Sequence, residues 1–259
     1  MFPIRDENPT LHTSFVTFLI VAVNASVWIF YQHAGFGAGF FESICSGGLI
    51  PAEILGTAAA GDRIPLGERA VCVLSGNRGI FPVFSHMFMH GGWFHIITNM
   101  WFLLIFGDNV EDSMGHGRFL FFYVLCGLGA AAVQTAFNPG SRIPMVGASG
   151  AIGGVMGAYA VLFPRAPVHV LVFLGFFFFR VIMPAFMMLA YWFLLQVIGG
   201  IPSAGSETGG VAFWAHIGGF ITGVVLIKIF CVTGRLENCR QKKGHTSRII
   251  SRFDNTFYE

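Results

Sequence analysis

The sequence predicts an all-α, polytopic membrane protein: a bundle of six transmembrane helices with a long outer loop between spans one and two. Three observations carry this. Of 259 residues, 54% are apolar and only 11% charged, against about a quarter charged in a soluble domain. The mean hydropathy is +0.69. The apolar residues also fall into six runs, each closed by charged or turn-forming residues. A water-facing surface cannot be built from this composition, so the lipid bilayer is the expected solvent. The net charge of +2 is too small to point to nucleic acid.

Residues 1–13 are read as a cytoplasmic N-terminus. "MFPIRDENPT" lacks the basic-then-apolar order of a cleaved signal peptide, so the first run is expected to stay attached. Span one is 14–31. Span two is 93–107, stopped by "DNVED". Span three is 119–137, ended by "NPGSR", and span four is 149–163, ended by "PR". Span five is 181–199 and span six 211–230, with Lys228 able to reach the surface. "VHVLVFLGFFFF" before Arg180 is ambiguous: it could lengthen span five, but it is read as an interfacial or protein-covered segment, because an arginine in mid-bilayer is costly.

Orientation follows from the basic residues near span ends. Arg118, Arg165, Arg180 and a basic tail, 231–259, carrying Arg235, Arg240, Lys242, Lys243, Arg248 and Arg252, fall on one side, read as cytoplasmic. Both termini then lie there, and the tail's charge suits anionic headgroups. The outer side holds the glycine-rich loop 32–92, where short interfacial helices are expected. Arg63, Arg69 and Arg78 lie in it, so the charge bias is modest. Cys45 and Cys72 lie in this loop as a disulfide or as two free thiols. The five cysteines lack metal-ligand spacing, and His86, His90 and His95 have no acidic or cysteine ligand beside them, so no metal is expected. Arg118 and Glu111 are expected to pair between spans two and three.

Helix length gives depth. From Ser149 to Arg165 is 16 residues, about 24 Å at 1.5 Å per residue, short of the roughly 30 Å of hydrocarbon. Ser149 therefore lies below the outer surface. Residues 138–148 must dip in, covered by protein or lining a wet cavity. His95, Asn99 and His216, measured from Asp108 and Lys228, fall in the same outer layer. A serine before an apolar helix is, taken alone, a helix cap. With a histidine base at its depth it becomes a candidate nucleophile, since serine is weak until a base takes its proton. His216 is that base, and the free N–H groups at the start of the fourth span, with His95 and Asn99, are oxyanion donors. All 13 acidic residues fall outside the spans, and only Glu207 lies in a nearby outer loop, so a Ser–His dyad is expected rather than a triad. Gly150, Gly154, Gly219 and Gly223 allow spans four and six to approach closely.

At these residues the chain resembles the rhomboid family of intramembrane serine proteases, over nearly the whole of 1–230. The resemblance rests on "HMFMHGGWFHIITNMWFLLIFG" with His90, His95 and Asn99, on "GDNVEDSMGHGRFLFFYVLCG", on "GASGAIGG" with Ser149, and on "AHIGGFITG" with His216. "PIRDENPT" is similar to the start of many bacterial members. The resemblance implies a six-span serine endopeptidase of a bacterial inner membrane. It would cut transmembrane protein substrates near their outer ends, without metal or cofactor. Ser149 would be nucleophile, His216 base, and His95 and Asn99 oxyanion ligands. Two departures stand out. Many members carry an aromatic residue four after the serine, against which the histidine packs. Here it is Gly153, leaving Phe213 or Trp214 to orient His216. Many also carry a Trp-Arg pair in the outer loop, which is missing here. The rival reading is a non-catalytic rhomboid-like protein that binds membrane clients.

Overall fold

The computed structural model describes residues 1–66, 70–175, 177–204, 210–232 and 234–235. Glu207, Arg69 and most of the basic tail lie outside the described residues. The elements run β1 (Phe2–Asp6), α1 (Phe15–Ser26, continued by a π turn Val27–Tyr31), α2 (Gly37–Gly47), α3 (Pro51–Ile54), β2 (Arg63–Pro65), β3 (Val71–Val73), α4 (Phe81–Ser85), α5 (Trp93–Met114), α6 (His116–Phe137), α7 (Ser149–Leu162), β4 (Pro167–Leu174), β5 (Phe177–Pro184), α8 (Ala185–Ser203) and α9 (Phe213–Phe230). The fold is helical, as predicted. Helices α6, α8 and α9 are long and apolar enough to cross a membrane, while Phe15–Tyr31 and Ser149–Leu162 are shorter apolar helices.

Helix α7 is the axis of the bundle, buried from Gly150 to Tyr159. It meets α9 backbone to backbone. A Cβ added at Gly219 would lie 1.8 Å from the Gly150 carbonyl oxygen, and one at Gly223 1.9 Å from that of Gly154. Only glycine permits this approach, and it fixes the register of the two helices.

Three features depart from the expectations. First, α5 does not stop at "DNVED" but runs on to Met114. Carboxylates near a helix C-terminus oppose its dipole, yet here they serve a neighbour. Glu111 accepts the N–H groups of Val16 and Thr17 at 2.8 and 2.7 Å and the Thr17 hydroxyl at 2.7 Å, satisfying the orphan donors that open α1. Asp112 accepts the Leu11 N–H and meets His12 Nδ1 at 2.6 Å. Across to α6 Glu111 meets His116, at 2.5 Å, in place of the expected Arg118.

Second, the segment before Arg180 and the N-terminal residues form a sheet of order β1-β4-β5, all antiparallel. Valine and phenylalanine runs favour strand, and Gly175 at φ +62° makes the reversal. Because 181–184 complete β5, the fifth helix begins at Ala185. Strand β1 is held by Trp101 Nε1 donating to the Pro3 carbonyl at 2.8 Å, by the Tyr159 hydroxyl donating to Asp6, and by Glu7 against His169 at 2.6 Å.

Third, the outer loop is a small folded unit containing a β2–β3 hairpin besides its short helices. Cys45 and Cys72 form a disulfide. Buried Glu53 forms an ion pair with Arg78 at 2.7 Å and accepts the Ser75 N–H at 2.7 Å. Leu49 and Met145 exchange N–H···O bonds of 2.9 and 2.8 Å. The Ala52 N–H donates to the Ser141 carbonyl at 3.0 Å. This unit thus covers the 138–148 approach to α7.

Candidate active site

Ser149 is the first residue of α7, one place past the N-cap position, which Ala148 occupies. Its Oγ lies 2.7 Å from His216 Nε2, which rises from the first turn of α9. The cap reading of Ser149 is therefore set aside. The approach is sharp: Gly147 has φ +140°, a conformation that disfavours side chains. Its N–H donates to the His86 carbonyl at 2.9 Å.

His95 stands across from the serine. Its Nδ1 accepts the Gly91 N–H at 3.2 Å, so the proton of the neutral ring belongs on Nε2. A Cβ built on Gly147 would meet His95 Nε2 at 2.9 Å and Ser149 Oγ at 3.3 Å. A donor and a hydroxyl thus border one point, and glycine keeps it open. Asn99, 6% exposed, donates Nδ2 to the His95 carbonyl at 2.9 Å, steadying that turn. All four residues singled out in the sequence line one cleft of about 590 Å³, with Phe2, Phe102, Met156 and Trp192 among its walls.

A rhomboid-domain family model matches residues 77–233, more than half of the chain. The chain belongs to the rhomboid family. It is an integral membrane protein of that family, with membrane lipid around it. It is 33% identical over 150 residues to Rhomboid-like protein 11, chloroplastic, of Arabidopsis thaliana, covering 54% of this chain and 49% of that protein. It is 26% identical over 147 residues to Rhomboid protein 1, mitochondrial, of Saccharomyces cerevisiae, covering 55% of this chain and 40% of the relative. RHOMBOID-like protein 1 of Arabidopsis thaliana matches at 30% over 93 residues, 36% of this chain and 23% of the relative. The chain spans half or less of the length of these curated relatives.

In this rhomboid the histidine's surroundings differ from the expectation. Phe213 packs over Gly199 of α8, and Trp214 stacks on Phe137 with ring centroids 3.6 Å apart. Neither touches the imidazole face. Instead Trp192 lies 5.8 Å from the His216 ring, centroid to centroid, and Gln196 Oε1 lies 2.7 Å from His216 Nδ1. Gly153 makes the room: a Cβ there would sit 3.1 Å from the His216 carbonyl and 3.6 Å from the Trp192 ring. Sequence reasoning missed Gln196. Its signal was a carboxamide in an otherwise apolar span, which is costly unless partnered.

His86 and His90 are buried behind the site, with the His90 ring 5.2 Å from that of His95. Burial, and then the nearby His95, pushes His90 down to about 3, and burial alone pushes His86 down to about 4. Both are neutral side chains at ordinary pH.

Proposed function

We propose that this rhomboid is an intramembrane serine endopeptidase, with Ser149 as nucleophile, His216 as general base, and His95 and Asn99 as oxyanion ligands. The observation that carries the reading is the 2.7 Å contact of Ser149 Oγ with His216 Nε2 inside a cleft among apolar helices. His216 takes the hydroxyl proton as Oγ adds to the scissile carbonyl carbon. The His95 Nε2–H, Asn99 and the free N–H groups at the start of α7 meet the developing oxyanion. Collapse breaks the C–N bond, and His216 passes its proton to the departing amine. A water activated by the same imidazole then hydrolyses the acyl-enzyme ester.

The substrates are transmembrane segments of other membrane proteins, cut near their outer ends, because the dyad lies at the outer end of α7 and α9. We assign six spans, both termini to the cytoplasm, and a bacterial cell membrane, on the distribution of basic residues and the similarity of "PIRDENPT" to bacterial members. The test is cleavage of a reporter transmembrane substrate in liposomes, with labelling by a serine-reactive phosphonate. Ser149→Ala and His216→Ala are expected to abolish both while the thermal transition persists. Undiminished cleavage by Ser149→Ala sinks the mechanism. A folded wild-type protein unlabelled at Ser149 supports the non-catalytic, client-binding reading.

A further inference from the structure

A Ser–His pair leaves open which nitrogen of the imidazole carries the proton. A neutral imidazole has one donor and one acceptor nitrogen, and only the acceptor can take the serine proton. The answer here lies on α8. Gln196 is 8% exposed, and its Nε2 donates to the Trp192 carbonyl one turn earlier at 3.1 Å. Turning the amide over would set its oxygen against that carbonyl oxygen, so the amide has one favourable orientation. Its Oε1 then faces His216 Nδ1 at 2.7 Å and can only accept. The bonds therefore all run one way, from Ser149 O–H to Nε2, from Nδ1–H to Oε1, and from the amide N–H to the backbone.

We propose that Gln196 is the positioning residue of His216, holding the imidazole in the tautomer whose Nε2 lone pair faces Ser149. Trp192, on the same face of α8, covers the ring. The inference rests on the reading of Ser149 and His216 as the catalytic pair. A carboxamide suits the place. No acidic residue lines the cleft among the described residues, and an ionised carboxylate buried among apolar helices costs far more than a neutral acceptor. When His216 becomes imidazolium, the Nδ1–H···Oε1 bond becomes charge-assisted and strengthens. Gln196 thus favours the protonated state that the first step creates without adding charge to the resting site. Gly153 belongs to the same device, because the space it leaves is where Trp192 approaches.

The test uses the full chain in lipid vesicles, with Gln196→Leu removing the acceptor and Gln196→Glu keeping it. Two readouts are taken: the rate of phosphonate labelling at Ser149 across pH, and ¹⁵N spectra of labelled histidines, with the His216 signal assigned by its loss in His216→Ala. Gln196→Leu is expected to slow labelling about 10- to 100-fold, part of what a positioned base contributes. It also replaces the Nδ1–H signature of His216 with a mixture of tautomers. Gln196→Glu regains most of the rate, but only toward alkaline pH, because the added negative charge favours the imidazolium and moves the acidic limb of the profile upward. A folded Gln196→Leu that labels at the wild-type rate overturns the proposal. So does a wild-type His216 carrying its proton on Nε2. Failure of the protease reading looks different: wild-type Ser149 stays unlabelled, while the tautomer spectra still decide the role of Gln196.

Discussion

The contact of α7 with α9 predicts a loss of function from one added methyl group, in Gly219→Ala. The new Cβ would lie 1.8 Å from the Gly150 carbonyl oxygen, whereas carbon and carbonyl oxygen rest at about 3.3 Å. The two backbones must therefore part locally by about 1.5 Å. Gly150 follows Ser149 directly, and Gly219 lies one turn beyond His216, so the displacement falls on the dyad. A bond of 2.7 Å opens to roughly 4 Å, past hydrogen-bonding distance. Overpacking of this kind costs about 1–3 kcal/mol, and a misplacement of about 1 Å costs on the order of 100-fold in rate. The assay is phosphonate labelling of Ser149 with the thermal transition followed in the same preparation. Gly223→Ala carries an equal clash, 1.9 Å against the Gly154 carbonyl, one turn farther from the dyad. It should lose similar stability and much less rate. Gly117→Ala, whose Cβ would meet nothing within 4 Å, is the neutral control. A Gly219→Ala protein with wild-type labelling would refute the claim that this contact sets the site's geometry.

Two further predictions concern the ends of the bundle. Replacing Cys45 and Cys72 by serine opens a loop of sequence separation 27 and should cost the outer unit about 3.5 kcal/mol, read as faster proteolysis within 32–92. At the opposite end, burial and the neighbouring Asp6 raise Asp108 from 3.8 to about 7. The native state then holds a proton that the unfolded chain releases, so this group's contribution to stability falls as pH rises from about 4 to about 7. Asp108→Asn should flatten that part of the profile of melting temperature against pH.

The parts that sequence revealed share a cause. Six apolar runs, and polar residues placed at one depth within them, are constraints that lipid imposes locally, and each can be read along a single segment. Ser149, His95, Asn99 and His216 all met in the cleft for that reason. What escaped depended on partners distant in the chain. The "DNVED" run looked like a stop, with Glu111 expected to pair with nearby Arg118; its use was the opening turn of α1, 94 and 95 residues earlier. The phenylalanine-rich segment was ambiguous because a short apolar run cannot be assigned to strand or helix by periodicity alone, and its β1 partner lay at the far end of the sequence. Phe213 and Trp214 were favoured as supports for His216 because they adjoin it in sequence. The residues that reach it, Trp192 and Gln196, come from another helix.

The three-stranded sheet bears on the order in which the chain assembles. Strand β1 is made first, yet its anchors come late: Asp6 waits for Tyr159 across 153 residues and Glu7 for His169 across 162. Bridging such separations costs chain entropy before any contact returns it. During synthesis the first strand must stay unpaired while α1 to α7 form. It can pair only once β4 exists, and until it pairs, β4 presents an open edge to any other strand within reach.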